Sequence, residues 1–291
     1  MKKYKQIVLL AVLCSFDLWA LTADALASEI GASEVASSKA LKSQQSFDHS
    51  QFDQLLREVV LVQKNNATTR VNYSALKKQR QVLKVYLQSL SRITQTRFDN
   101  WTSDHQLAFL INAYNAQTLD LVLSKYPDLN SIKDLGSLFQ SPWSKELLML
   151  LGEKRSLDDI EHTLIRGDQH FKRYNYDPRI HFAVNCASLS CPGLYEMAFD
   201  GDQLQQQLKL VTERFLRSDN IVFSAKSAKV SKIFDWYQDD FTKGWRQINS
   251  LNSFFLLYKD VLKLTDSQIK LLSNGQYKIQ FQYYDWGLND V

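Results

Sequence analysis

Glycine and proline are scarce in this chain, at 9 and 4 of 291 residues. That is about half of average usage or less, which excludes collagen-like repeats and argues against a many-turned β-sandwich. No proline precedes Pro127, as suits a helical first half. Neither G-x-G-x-x-G nor G-x-x-x-x-G-K-[ST] occurs, so no standard phosphate-cradling loop is present and no cofactor is expected. H-E-x-x-H and paired C-x-x-C are missing too, which leaves no recognised metal motif. Charge of one sign does not dominate: 35 Lys+Arg stand against 31 Asp+Glu. Lys77, Lys78, Arg80 and Lys84 cluster at helical spacing, a pattern of a solvated face, so nucleic acid is not an expected partner.

What is present is core material. The chain is 45% hydrophobic and carries 16 Phe, 13 Tyr and 6 Trp, which excludes disorder as the overall state.

The start of the chain has the form of an export signal. Lys2, Lys3 and Lys5 precede a short apolar run over 7–16, and Ala25-Leu26-Ala27 supplies a small-x-small cleavage pattern. The run is too short for a membrane span, and Asp17 and Asp24 interrupt its flank. Leu13 ahead of Cys14 is bulky where a lipoprotein signal wants a small residue. The expectation is cleavage after Ala27, a periplasmic or secreted protein and no stable transmembrane anchor. Cys186 and Cys191 then remain, an even count that permits one disulfide.

Residues 28–47 are Ser- and Ala-rich and read as a flexible lead-in to one domain over 48–291. Phe52, Leu55, Leu56, Val59 and Val60 repeat at helical spacing. Val82, Val85, Tyr86 and Leu90 predict a second helix. Ser103 could cap a third, with Leu107, Leu110, Ile111, Tyr114, Thr118, Leu121 and Val122 as its buried stripe. A hairpin turning at Gly152 is predicted over 147–157, and Ser156 with Asp159 predicts a helix start for 157–166. Residues 180–185 read as a strand, Asp202 as the opening of a helix through Leu216, and 222, 228–232 and 277–284 as further strands. The fold expected is α+β: a mainly helical single domain packed on a small, mostly antiparallel sheet.

Chemistry concentrates in residues 161–191, which hold Glu161, His162, His170, His181, Cys186 and Cys191. As a strand, 180–185 would put His181 and Asn185 on one face and Cys186 on the apolar side. Pro192 suits a first helical position, which would make Cys191 an N-cap with an easily formed thiolate. Cys191 is therefore the preferred reactive sulfur. Asp158, His162 and Arg166 share a helix face that could orient a base or simply be a solvated ion-pair face. Asn112 and Asn115, one turn apart beside an apolar stripe, suggest buried hydrogen bonds that tie down a loop or orient a substrate or imidazole. Three chemistries fit: a thiol nucleophile with a His base, a redox pair or plain disulfide Cys186–Cys191, and, last, a metal site.

Four stretches together resemble the domain of unknown function 547 family. They are 108–116, containing Asn112 and Asn115; 157–162, ending in Glu161 and His162, with Arg166; 179–188 with Ser190, Cys191 and Pro192; and 284–289. The resemblance runs from about Phe52 to Asn289. It implies an exported bacterial protein whose recurrent Asn, Glu-His, His and Cys positions form a site, and it implies no particular reaction. The leading expectation is a thiol-dependent hydrolase or acyl transferase acting on an amide or ester. Cys191 would be nucleophile, His181 or His162 base, and Glu161, Asn112 or Asn115 orienter. The alternatives are a non-enzymatic module binding a ligand or protein partner, with a structural Cys186–Cys191 bridge, and a thiol redox protein.

Overall fold

The computed structural model describes residues 46–63, 66–137 and 140–291. The expected export segment 1–27, and the lead-in up to residue 45, lie outside the described residues. From Phe47 to Val291 the chain forms one compact unit. It is α+β and mainly helical, with the strands divided among three small sheets instead of one. No helix among the described residues is long and apolar enough to cross a membrane.

Ser103–Leu123 is the axis of the fold. Of its 21 residues 17 are buried, including Gln106, Asn112, Asn115, Gln117 and Thr118. A helix buried all round must be wrapped on all sides. Arg80–Leu90 and Leu204–Leu216 pack on it, as does the helical turn Asp159–Ile165. Its cap is Thr102, one residue before the expected Ser103, with the Thr102 hydroxyl accepting from the His105 N–H. Ser50–Val59 buries Phe52, Leu55, Leu56 and Val59 as the spacing predicts. Arg80–Leu90 buries Leu83, Tyr86, Leu87 and Leu90, whereas Val82 and Val85 are exposed. The inward stripe therefore includes Leu83 and Leu87, which meet the long helix.

β1 (Val60–Val62) and β2 (Thr69–Val71) form an antiparallel pair, as do β3 (Leu148–Leu150) and β4 (Glu153–Arg155). Leu151 and Gly152 both have positive φ, at 55° and 88°, the turn geometry that closes a two-residue hairpin. β5 (Ile221–Phe223) pairs antiparallel with β6 (Ser227–Val230), which pairs parallel with β7 (Lys278–Phe281). The helix after Asp202 begins at Leu204, behind a turn that Asp200 makes by accepting the Asp202 N–H.

The strand expected over 180–185 is absent. Pro178–Phe182 is a 3-10 helix, capped by the Asp177 carboxylate accepting from the Arg179 N–H. Pro178 fits the first position of that turn. Every residue from 178 to 185 is buried, so each backbone group needs a partner. The Asn115 amide supplies two of them, in place of a neighbouring strand.

At the start of the unit, Phe47 packs on Tyr86 and Phe109. His49 Nδ1 lies 2.7 Å from the Tyr86 hydroxyl. Burial drives the His49 pKa down to about 3, against a smaller upward pull from Asp48. A histidine buried neutral contributes stability that is full above the unfolded pKa near 6.5 and lost as pH falls toward the folded value. Acidification from pH 7 to pH 5 should therefore cost about 2 kcal/mol from this residue, at about 1.4 kcal/mol per pH unit below 6.5. Urea unfolding at both pH values checks this: His49→Phe should flatten the pH dependence, and an unchanged slope would contradict it.

Candidate active site

The cysteine loop, residues 183–192, is held from two sides. On the inner side Asn115 Nδ2 donates to the Ala183 carbonyl at 2.9 Å, and Asn115 Oδ1 accepts from the Asn185 N–H at 2.9 Å. Asn185 then closes the loop on itself. Its Nδ2 donates to the Pro192 carbonyl at 2.8 Å and its Oδ1 accepts from the Ala187 N–H at 2.9 Å. Ala187 adopts a left-handed φ of 59°, an uncommon conformation for a residue with a Cβ that persists where its surroundings enforce it.

On the outer side the C-terminal segment runs across the loop as a strap. The Leu189 N–H donates to the Gly287 carbonyl, and the Asn289 N–H to the Ala187 carbonyl. Gly193 lies so close to β2 that a Cβ there would approach Thr69 Oγ1 to 2.7 Å. Asn112 performs the same clamping service elsewhere, pairing with both backbone groups of Phe199 at 2.7 and 2.9 Å. Both asparagines therefore tie down loops.

Within this frame the two sulfurs differ in a way the sequence did not foretell. No helix follows Pro192, so Cys191 has no helix N-terminus to favour its thiolate. It is buried, and its sulfur contacts the Val184 carbonyl at 3.9 Å and accepts from the Cys186 N–H at 3.0 Å. Burial, and then the neighbouring Cys186 sulfur, push its thiol well above the ordinary range.

Cys186 is only partly covered. Its sulfur lies 3.1 Å from Ser188 Oγ and 3.3 Å from the Tyr284 hydroxyl. The hydrogen bond from the Cys191 thiol draws its pKa down first; Ser188 and Tyr284 add to that, against the opposing effect of burial. These contacts favour Cys186 over Cys191 as the more acidic thiol. Cys186 is not the inert core thiol that strand parity implied, because the parity itself is lost in the 3-10 turn. Both cysteines are free thiols here.

His181 is buried, and its Nε2 lies 2.8 Å from Asp240 Oδ2. Burial lowers the His181 pKa despite Asp240, so the ring is neutral at pH 7, with Nε2–H donating to the carboxylate. Nδ1 has no hydrogen-bond partner among the described residues. Tyr237 stacks on the imidazole, with centroids 4.0 Å apart, and donates its hydroxyl to Glu161 Oε1 at 2.7 Å.

Asp240 also accepts from Arg166 Nε at 2.5 Å. Although burial opposes it, bonding to His181 and Arg166 brings its carboxyl to about 2. Arg166 reaches back to His162 Nδ1 at 2.6 Å, so the expected Asp158–His162–Arg166 face exists, with His162 half-exposed. The turn that carries it, Asp159–Ile165, is a π-helix. Such turns are rare and frequent at functional sites. Ser156 and Asp159 start it as the sequence predicts, with the Ser156 N–H donating to Asp159 Oδ2 at 2.8 Å.

These groups line one cavity of about 160 Å³. Glu161, His162, His181, Cys186 and Cys191 all reach it, under a wall of Tyr114, Trp143, Trp236, Tyr237, Tyr284 and Trp286. Neither sulfur is hydrogen-bonded to an imidazole. Asn112 and Asn115 do not line the cavity. Asp240, Tyr237, Ser188 and the tryptophans escaped sequence reasoning. The one signal for them was the density of aromatic and acidic residues in Trp236-Tyr237 with Asp239-Asp240, and in Tyr284-Asp285-Trp286. Among the described residues, His105, Asp200 and Asp202 form a grouping of metal-ligand type, with both aspartates exposed; it shares no residue with the cavity.

A contacting thiol pair, one buried and one partly covered, a buried His–Asp pair and an aromatic wall define a thiol-bearing cleft. Residues 98–216 match the family described as Protein of unknown function, DUF547. The matched segment carries both asparagines, the π-helical turn, His181 and both cysteines; Asp240 and the Tyr284–Trp286 wall lie beyond it. No curated protein and no solved structure matches the chain.

The clamp generates a paired prediction. Asn115→Ala leaves two buried backbone groups unpaired at about 1–3 kcal/mol each, a loss of about 2–6 kcal/mol by urea unfolding. It should also change the rate at which iodoacetamide labels Cys186. Asn112→Ala should lose comparable stability and leave Cys186 labelling unaltered, because it fixes residue 199 and not the cysteine loop. Equal labelling in the two variants would contradict the assignment of Asn115 to the thiol.

Proposed function

We propose that this protein is a thiol-dependent hydrolase or acyl transferase acting on an ester or amide, with Cys186 as nucleophile. The observation that carries the reading is that the more acidic of the two thiols shares a cavity with the buried His181–Asp240 pair, which thiol redox chemistry does not require. A nucleophilic thiol is activated by a lowered pKa or by an adjacent base, and this cavity offers both.

In this reading Cys186 Sγ attacks the substrate carbonyl, and neutral His181 accepts the thiol proton at Nδ1. It returns that proton to the departing alcohol or amine, leaving a thioester. Asp240 holds the ring in the tautomer with a bare Nδ1 and stabilises the imidazolium as it forms, as in other His–Asp pairs. Water, or a second acceptor, then attacks the thioester with His181 again as base. Catalytic contacts often tighten only with substrate bound, which accommodates the unmade sulfur–imidazole hydrogen bond. The expected export signal would make this a periplasmic or secreted activity.

A second reading, a redox dithiol, is favoured by the direct contact of the two cysteines, the outer one acidic and the inner one buried.

The reduced protein and p-nitrophenyl acetate separate the readings. A burst of nitrophenolate and a hydroxylamine-labile acetyl group on Cys186, absent in Cys186→Ala and persisting longer in His181→Gln, is the expected result. No acyl adduct, together with ready formation of a Cys186–Cys191 disulfide in a glutathione buffer, would overturn the acyl-transfer reading in favour of the redox one.

A further inference from the structure

The cavity's charge and its walls point to a class of substrate. Two carboxylates line it, Asp158 and Glu161, and no lysine or arginine does. Glu161 is buried, with the neutral Tyr237 hydroxyl as its hydrogen-bond donor. The Arg166 guanidinium is taken up by Asp240 and His162. A buried carboxylate without a cationic partner is costly, and a cationic ligand would supply that partner.

Much of the remaining lining is aromatic, from Trp236, Tyr284 and Trp286 among others. Trp286 stacks on Trp236 at 5.7 Å and 28°, and meets Tyr284 at 4.6 Å in a tilted contact. Aromatic faces attract ammonium groups through the ring quadrupole. The chain already shows this affinity: Lys133 Nζ lies 3.8 Å from the Trp286 ring centroid.

We infer that the cleft takes an acyl substrate bearing an ammonium group, held between the tryptophan wall and the Asp158 and Glu161 carboxylates while its carbonyl meets Cys186. The inference rests on the acyl-transfer reading for the reaction, but the ammonium site can be tested apart from it.

Cys186 is labelled in reduced protein by 2-bromoethylammonium, iodoacetamide and iodoacetate. Each forms a thioether from the thiolate with loss of halide. Rates are divided by those of N-acetylcysteine amide, which removes the reagents' intrinsic differences. The cationic reagent should be favoured over the anionic one by about tenfold, on the order of one such interaction. The preference should collapse in Asp158→Asn/Glu161→Gln. In parallel, tetramethylammonium should perturb tryptophan fluorescence saturably, and equimolar neopentyl alcohol should not.

Equal normalised rates, or a preference that survives in the double variant, would overturn the inference. Slow labelling by all three reagents would instead defeat the thiol-nucleophile reading. The fluorescence titration then still decides the ammonium site, its failure counting against it.

Discussion

The hydrogen bonds of two buried amides, Asn115 and Asn185, are the constraint on which the cleft depends. Residues 178–185 are buried but belong to no strand, so their backbone groups cannot be satisfied by a ladder. Asn115, one turn beyond Asn112 on an otherwise enclosed helix, meets one donor and one acceptor of that segment. Asn185 repeats the motif inside the loop. A buried polar network is advantageous only when its members are paired. Here the pairing fixes a loop whose backbone N–H points at one sulfur and whose geometry places a second sulfur against two hydroxyls.

Once the loop is fixed, the division of labour between the cysteines follows from coverage and contacts. Cys191 is enclosed; Cys186 is partly open and lies against the Cys191 thiol, Ser188 Oγ and the Tyr284 hydroxyl, contacts that favour its thiolate. The same logic governs the polar chain below. Asp240 is held ionised by His181 and Arg166, and His181 is held neutral by burial. A neutral imidazole with one nitrogen committed to a carboxylate has the other available as a base. The tryptophan wall comes from three remote stretches, so the cleft is complete only when the C-terminal strap crosses the cysteine loop.

Much of the helical half was legible in the sequence: period and burial agree over Ser50–Val59, and the apolar spacing located Ser103–Leu123, although that helix is buried nearly all round rather than on one stripe. The hairpin at Gly152 and the Ser156–Asp159 helix start were legible because each depends on neighbours in the chain. The segment 180–185 was not. Its alternation of Ile180, Phe182 and Val184 imitates a half-buried strand, yet all its residues are buried in a 3-10 turn and the loop that follows it, and only a partner 70 residues away explains why. With no strand over 180–185 and no helix starting at Pro192, neither cysteine has the surroundings its place in the sequence suggested. The site's membership was largely visible in Glu161, His162, His181 and the cysteines. Asp240 was not, because its role is defined by a contact across 59 residues.

The central claim is that Cys186, and not Cys191, carries the acidic thiol. Thiolate absorbance in the ultraviolet, followed against pH in reduced protein, measures it directly. The account predicts one transition below the ordinary cysteine value of about 8.5, lost in Cys186→Ala and displaced upward in Cys191→Ala, where the donated hydrogen bond is gone. A low transition that survives in Cys186→Ala and vanishes in Cys191→Ala would contradict it.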